Sequence, residues 1–176
     1  MRCFVACWPD DATRARLDDT ARNAHQRYPG ARRVRGQNLH LTLAFIGELP
    51  SAKAHEAAQA LGQLSIEPLE WRIDHVGRFE SARVLWAGGQ PDPRLMQVAE
   101  RARVQLKTLQ IGFDEKRFAA HVTLLRDLPS QRGQGSSELA YPIEPFTWPI
   151  RDALLIVSER DPRGATVYRP LRPHEI

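Results

Sequence analysis

His40-Leu41-Thr42-Leu43 and His121-Val122-Thr123-Leu124 are two copies of one pattern, His-x-Thr-Leu. Each copy is followed within ten residues by a Leu-Pro pair. Side chains on a strand alternate between its two faces. A strand through either copy would therefore place its histidine and threonine on one face and its two apolar residues on the other. The repeat predicts two strands that present polar pairs to a shared cleft and are anchored in the core by their apolar residues.

Hydrophobic periodicity predicts helices and strands in the rest of the chain. Helices are predicted from Asp10 or Asp11 to Tyr28, from Ala52 to about Leu64 with Ser51 as the cap, and from the residue after Pro93 to Gly112. The predicted strands cover residues 2–8, 40–47, 71–77, 83–87, 144–148, 153–158 and 166–171, with one more running from Phe118 through the second copy of the pattern. Residues 130–138 have the composition of a loop.

This order of elements predicts an α+β fold with largely antiparallel sheets, because several strand pairs look like hairpins. The two His-x-Thr-Leu strands follow helices at roughly equivalent points of the chain. We therefore expect a pseudo-duplicated, bilobal arrangement with both copies of the pattern facing a central cleft. Residues 1–176 are expected to form one such domain.

The composition is that of an ordinary globular chain with a modest basic bias. Hydrophobic residues make up 42%, charged residues 26%, and the net charge is +4, which favours anionic ligands without establishing them. No stretch approaches the roughly 20 apolar residues of a membrane span, so no membrane association is expected. Cys3 and Cys7 would lie about 13 Å apart along a strand, too far for a disulfide. These features predict a reduced, cytoplasmic protein.

Paired histidines are suited to acid–base chemistry, because imidazole can give and take a proton near neutral pH. Hydrolysis of a phosphodiester needs both steps, on opposite sides of phosphorus. The hydroxyls of Thr42 and Thr123 could donate to phosphate oxygens. Arg126, which follows the second copy, could bind the same oxygens with its guanidinium group. The pattern therefore indicates His40 and His121 as catalytic residues, with two threonines and one arginine as substrate ligands.

Other residues of these types have structural explanations. His75 is expected to be structural, and His25, His55 and His174 solvated. Trp71 and Trp86 are expected in the core rather than as stacking platforms for bases. The basic cluster Arg32, Arg33 and Arg35 could be a solvated loop or the rim of a substrate site. The sequence has no His-Glu-x-x-His, no Cys-x-x-Cys and no phosphate-binding loop, so no metal or other cofactor is expected.

The longer stretches around both copies resemble the 2H phosphoesterase superfamily. Residues 38–47, Asn-Leu-His-Leu-Thr-Leu-Ala-Phe-Ile-Gly, are similar to the first motif of the RNA 2′,3′-cyclic phosphodiesterases, also called 2′-5′ RNA ligases. Residues 121–126, His-Val-Thr-Leu-Leu-Arg, resemble their second motif with its arginine. Residues 2–6 resemble the opening strand of that family, and residues 158–171 its C-terminal strand pair.

The resemblance implies the roles of the two histidines, which spacing alone leaves open. It makes His40 the proton donor to the leaving oxygen and His121 the proton acceptor from the attacking water. It also implies metal-independent hydrolysis of RNA 2′,3′-cyclic phosphate ends to 2′-phosphomonoesters. Ala120 departs from the family, which commonly has proline before the second histidine; we expect a slightly looser start of that strand.

Two alternatives to hydrolysis remain at this point. One is 2′-5′ ligation of RNA ends, including tRNA halves, which would use the same cleft in reverse and should be minor in water. The other is a non-catalytic module that binds RNA or nucleotides. The expected partners are RNA or oligonucleotide 2′,3′-cyclic phosphate ends, tRNA fragments among them, and a monomer is the default state.

Overall fold

The fold is built from three α-helices and nine strands among residues 1–130 and 140–172, the part of the chain that the computed structural model describes. The helices are α1 Asp11–Arg27, α2 Ser51–Gly62 and α3 Pro93–Thr108. The strands are β1 Arg2–Cys7, β2 Arg32–Arg33, β3 Leu41–Glu48, β4 Leu69–Phe79, β5 Val84–Gly88, β6 Val122–Arg126, β7 Ala140–Ile150, β8 Leu154–Arg160 and β9 Thr166–Pro170. A short 3₁₀ turn, Gly36–Asn38, precedes the first histidine.

The strands form one antiparallel sheet in the order β7-β4-β5-β6-β3-β1-β8-β9, with β2 paired to β6. The predicted α+β class is confirmed. The two halves of the sheet join at its centre, where β3 and β6 pair through Leu41 and Val122. These residues directly follow His40 and His121, so the fold brings the two copies of the pattern together at the junction of its halves.

The helices cover the apolar face of the sheet. Helix α1 packs on β6 and β7, α2 on β8, and α3 on β3. Their apolar stripes join the strands in one hydrophobic cluster that spans both halves of the sheet. Asp10 and Asp92 cap α1 and α3 by accepting hydrogen bonds from backbone N–H groups, as their types favour. The opposite face is left for the polar residues of the repeat.

Several predicted element boundaries differ from the structure, and the differences at β6, α2 and β7 have visible causes. Strand β6 begins at Val122 rather than Phe118, because residues 111–121 are held outside the sheet ladder; Asp114 donates its backbone N–H to the Phe45 carbonyl. Ser51 is the first residue of α2 and makes no capping bond, since Pro50 occupies the cap position. Strand β7 is longer than predicted because it pairs with β4 along most of its length.

Three further sequence predictions concern the cysteines, membranes and a loop. Cys3 and Cys7 are both buried and free, as predicted. Among the described residues, no helix is both long and apolar enough to cross a membrane. Of the predicted loop 130–138, residues 131–138 lie outside the described residues, and so does His174.

Candidate active site

The polar residues of the two copies share one face at the β3–β6 junction. Leu41, Leu43, Val122 and Leu124 are buried in the core, while both histidines and both threonines are half-buried on the other face. The alternation predicted from the repeat is therefore observed. Each histidine immediately precedes its strand instead of lying inside it. Because the strands are antiparallel, His40 lies on the Thr123 side of the junction and His121 on the Thr42 side.

Each histidine is held by a backbone carbonyl two residues earlier. Nδ1 of His40 lies 2.7 Å from the Asn38 carbonyl oxygen, and Nδ1 of His121 lies 2.7 Å from that of Ala119. A carbonyl oxygen can only accept, so Nδ1 carries the proton in both rings. In the neutral imidazole this leaves Nε2 as the basic atom. Thr42 donates its hydroxyl to Nε2 of His40 over 3.0 Å.

Aromatic rings enclose both histidines, a feature that the sequence analysis missed. The His40 ring lies 4.7 Å from Phe4, 5.3 Å from Tyr168 and 6.1 Å from Trp8, measured between ring centroids. These three rings approach from β1, from β9 and from the end of β1. Their shared position follows from strand pairing that no local pattern in the sequence reveals.

The second histidine has a smaller aromatic wall. The centroid of the His121 ring lies 4.9 Å from Phe79 and 6.4 Å from Trp86. Trp71 is buried in the core, as predicted. The prediction for Trp86 was wrong: it is half-buried beside His121, because its ring lies over Gly77 and Gly88, which leave space for it on this face of β4 and β5.

Burial and a nearby cation lower the pKa of both histidines. Burial lowers the pKa of His40 from 6.5 to about 4, against the opposing effect of the Asn38 carbonyl, and the positive charge of Arg126 adds to the lowering. The pKa of His121 is also lowered, first by burial and then by Arg126, while the Ala119 carbonyl opposes the shift. Both imidazoles are therefore neutral at pH 7 in the free protein.

Arg126 is the cation that both histidines share. It ends β6, where its backbone pairs with β2, and its side chain makes no hydrogen bond or ion pair within residues 1–130 and 140–172. With His40 it lines a cleft of about 540 Å³ that extends toward Arg2, Phe45 and Arg160. His121 and the two threonines are not among the residues lining this cleft. An uncompensated guanidinium beside two neutral imidazoles makes the face attractive to an anion.

The other candidate cations and histidines have protein partners. Arg32, Arg33 and Arg35 form ion pairs with Asp127, Asp18 and Asp161, at 2.9, 2.6 and 3.2 Å respectively. Nδ1 of His75 lies 2.8 Å from the Asp74 carboxylate, consistent with the structural role expected for it. His25 and His55, which were expected to be solvated, are half-buried and bonded to backbone carbonyls. Within the described ranges, no three His, Cys, Asp or Glu side chains are grouped to hold a metal ion.

Comparison with known proteins finds relatives along the whole chain. The family model for LigT-like phosphoesterases matches residues 8–86. An RNA 2′,3′-cyclic phosphodiesterase from Archaeoglobus fulgidus is 30% identical over 179 residues, covering 99% of this chain and 100% of the relative. One from Escherichia coli is 31% identical over 143 residues, covering 80% of this chain and 77% of the relative.

Solved structures have the same fold. The crystal structure of Escherichia coli LigT complexed with 3′-AMP superposes with a TM-score of 0.77 at 27% sequence identity, covering 97% of this chain and 95% of that one. The complex of the same protein with phosphate gives a TM-score of 0.72 at 28% identity, covering 97% and 94%. Sequence identity over the full length of a relative and agreement of the fold lead to one conclusion: the chain belongs to the LigT-like phosphoesterase family.

Proposed function

We propose that this protein hydrolyses RNA 2′,3′-cyclic phosphate ends to 2′-phosphomonoesters without a metal ion. The observation that carries the proposal is the pair of histidines at the β3–β6 junction. Both have Nδ1 fixed on a carbonyl, and the same uncompensated Arg126 influences both. The relatives named as RNA 2′,3′-cyclic phosphodiesterases support this substrate class.

The reaction needs one proton to be removed and another to be supplied. Water attacks phosphorus opposite the O3′ atom, and Nε2 of His121 accepts its proton as the new P–O bond forms. The P–O3′ bond breaks, and Nε2 of His40 donates a proton to O3′. The products are a 2′-phosphomonoester and a free 3′-hydroxyl. General acid–base transfers of this kind typically contribute 10²–10⁴-fold each.

The donor role requires His40 to acquire a proton when substrate binds. In the free protein its pKa is about 4 because of burial. A phosphodiester anion beside the ring stabilises imidazolium and raises that pKa. The Thr42 hydroxyl, which donates to Nε2 in the free protein, can turn to a phosphate oxygen and leave Nε2 to carry the proton. Binding of the anion and protonation of His40 are thus linked.

The remaining ligands stabilise charge on phosphorus. Thr42 and Thr123 each follow a histidine by two residues and lie on its face, so their hydroxyls can donate to non-bridging oxygens. Arg126 adds a guanidinium group with parallel N–H donors, which matches phosphate geometry. Donors already directed at the phosphoryl group stabilise the transition state without reorganisation.

Product analysis tests the proposed function. An oligonucleotide ending in a 2′,3′-cyclic phosphate is incubated with the protein and a chelator, and the products are identified by ³¹P NMR. The expected product is the 2′-phosphomonoester, and His40→Ala or His121→Ala should each reduce the rate at least 100-fold. His55→Ala, on α2, is the matched control. A 3′-phosphomonoester, tight binding without turnover, or unchanged rates in either variant would refute the proposal.

We further propose that the natural substrates are RNA ends, tRNA fragments among them, and that the protein acts in the cytoplasm. The cleft beyond His40 continues toward Arg2 and Arg160, and Glu48, Asp114 and Glu159 line it as well; its volume of about 540 Å³ gives room for more than one nucleotide. The two free, buried cysteines are consistent with a reducing compartment. Comparing turnover of a cyclic mononucleotide with that of a trinucleotide tests the first point, because only an extended site favours the longer substrate.

The protein is also proposed to act as a monomeric single domain comprising residues 1–176. Both histidines and Arg126 come from one chain, and one hydrophobic cluster spans both halves of the sheet. Light scattering during gel filtration should give the mass of one chain, and one unfolding transition is expected. A stable dimer or two separate transitions would contradict this.

A further inference from the structure

Asn38 is an unusual residue because its polar side chain is buried immediately before the first histidine. Only 7% of its surface is exposed, and among the described residues Thr13 and Arg78 are the other buried polar or charged ones. A buried amide is costly unless its donor and acceptor are both satisfied. Here the two partners come from the far end of the chain.

The amide of Asn38 bonds along the outer edge of β9. Its Nδ2 donates to the Thr166 carbonyl over 2.8 Å, and its Oδ1 accepts the Tyr168 backbone N–H over 3.0 Å. Residues two apart on a strand direct their backbone groups to the same side. The side chain therefore replaces a neighbouring strand at this edge, where no other strand pairs in the described sheet.

The backbone of the same residue holds His40. The Asn38 carbonyl accepts the Nδ1 proton of His40 at 2.7 Å, which fixes both the tautomer and the direction of Nε2. Tyr168, whose N–H is bonded to Asn38, also places its ring against the edge of His40. One amide thus joins the C-terminal strand, the 3₁₀ turn and the first histidine.

We propose that Asn38 is a positioning residue for His40: its amide clamps the 3₁₀ turn to β9 so that the carbonyl holds Nε2 toward the phosphate. Among the described residues, no side-chain amide holds the carbonyl that accepts the Nδ1 proton of His121 in this way. That carbonyl belongs to Ala119, which is exposed and has no side chain able to form a clamp. The proposal rests on the proposed function, because positioning matters only if His40 acts on a substrate.

Asn38→Ala tests this role, and Gln37→Ala is the matched control on the same turn with an exposed side chain. Nitrogen-15 NMR of the imidazoles reports the tautomer of each histidine without reference to activity. In Asn38→Ala we expect His40 to lose its uniform Nδ1–H form while His121 keeps it. On a 2′,3′-cyclic phosphate, kcat should fall at least about tenfold with KM changed less than about threefold, because a misplaced catalytic group mainly affects the transition state.

A second pair of variants covers the case in which Asn38→Ala does not fold. Tyr168→Ala removes the ring but keeps the backbone N–H that bonds to Asn38, whereas Tyr168→Pro removes both at the outer edge of β9, where proline is tolerated. We expect the His40 tautomer to be disturbed more in the proline variant. The proposal would be overturned if Asn38→Ala kept the histidine tautomers of the wild-type protein and a kcat within twofold of the wild-type value. It would also be overturned if the imidazole NMR spectra of the two Tyr168 variants were the same. Failure of the proposed function would appear differently, as absence of turnover in the wild-type protein.

Discussion

His40 and His121 make the same hydrogen bond but have different surroundings. Each gives its Nδ1 proton to a carbonyl two residues earlier. His40 contacts three aromatic rings and a threonine hydroxyl, and its pKa is about 4 because of burial. His121 has two aromatic neighbours. The two copies of the repeat therefore share one hydrogen bond but differ in their surroundings. Such a difference is expected if one histidine donates a proton and the other accepts one.

The lowered pKa values predict an acidic optimum for kcat/KM. Catalysis needs one imidazole protonated and the other neutral, and that form of the free protein is most abundant between the two pKa values. One is about 4 and the other lies below 6.5. We expect kcat/KM on a cyclic phosphate to peak below pH 6.5 and to fall about tenfold per pH unit well above it, while kcat peaks at higher pH because bound phosphate raises the pKa of imidazole. A kcat/KM optimum above pH 7.5 would contradict this.

Removing the charge of Arg126 should shift the pH profile of kcat/KM to higher pH. Its guanidinium lowers the pKa of both histidines, so Arg126→Met is expected to shift both limbs of the kcat/KM profile to higher pH. It should also reduce kcat on the order of 100-fold through loss of phosphate stabilisation. Arg101→Met, an exposed change on α3, is the control. If the acidic and basic limbs of the kcat/KM profile do not shift in Arg126→Met, this guanidinium does not lower the pKa of the two histidines.

At the scale of elements, the β4–β5 hairpin forms the wall behind His121. Gly77 pairs with Trp86 across the hairpin, and the Trp86 ring lies where a side chain at position 77 would be. The indole therefore lies along the sheet and faces the second histidine. The glycine is required here for space rather than for backbone conformation.

Gly77→Ala should displace Trp86 and so disturb His121. A Cβ at position 77 would overlap the indole ring, and overpacking of this kind typically costs about 1–3 kcal/mol. We expect urea unfolding to show a loss of that size, together with a changed Trp fluorescence spectrum and a lower kcat. Gly30→Ala is the matched control, because a Cβ at position 30 meets no atom within 4 Å. Equal stability of the two variants would contradict the proposed packing.

Sequence periodicity predicted most elements because each depends on local patterns. The alternation of Leu41 and Leu43 with the polar residues predicted which face each side chain would occupy, and Leu17, Ala21 and Ala24 predicted the buried face of α1. The start of β6 was placed too early because residues 111–121 bond to α3 and β3 from outside the ladder. The clamp at Asn38 could not be predicted, since its partners lie near the other end of the chain.

At the scale of the whole molecule, the repeat is placed where the halves of the sheet meet. The halves pair there through Leu41 and Val122, and the hydrophobic cluster beneath them is continuous. Burying a histidine at such a junction has a cost that depends on pH. A group with a lower pKa in the folded state binds fewer protons than the unfolded chain does, so stability falls as pH decreases through that range.

His40 should therefore contribute to the decrease in the free energy of unfolding at low pH. Its stabilising effect is fully present above pH 6.5 and is lost as pH falls toward 4. The difference between those two pKa values corresponds to about 3 kcal/mol. We expect the free energy of unfolding of the wild-type protein to decrease by about that much more than that of His40→Gln between pH 7 and pH 4. Parallel curves for the two proteins would contradict the burial of a neutral imidazole.

The division of labour between the histidines is tested most directly by changing the leaving group. A 3′-deoxynucleoside 2′-(4-nitrophenyl phosphate) loses nitrophenolate, which needs no proton, in place of O3′. His40→Ala should lose at least 100-fold on a 2′,3′-cyclic phosphate but less than about tenfold on the nitrophenyl ester, while His121→Ala should lose at least 100-fold on both. The reverse pattern, with His121→Ala rescued by the nitrophenyl ester and His40→Ala inactive on both substrates, would contradict the account.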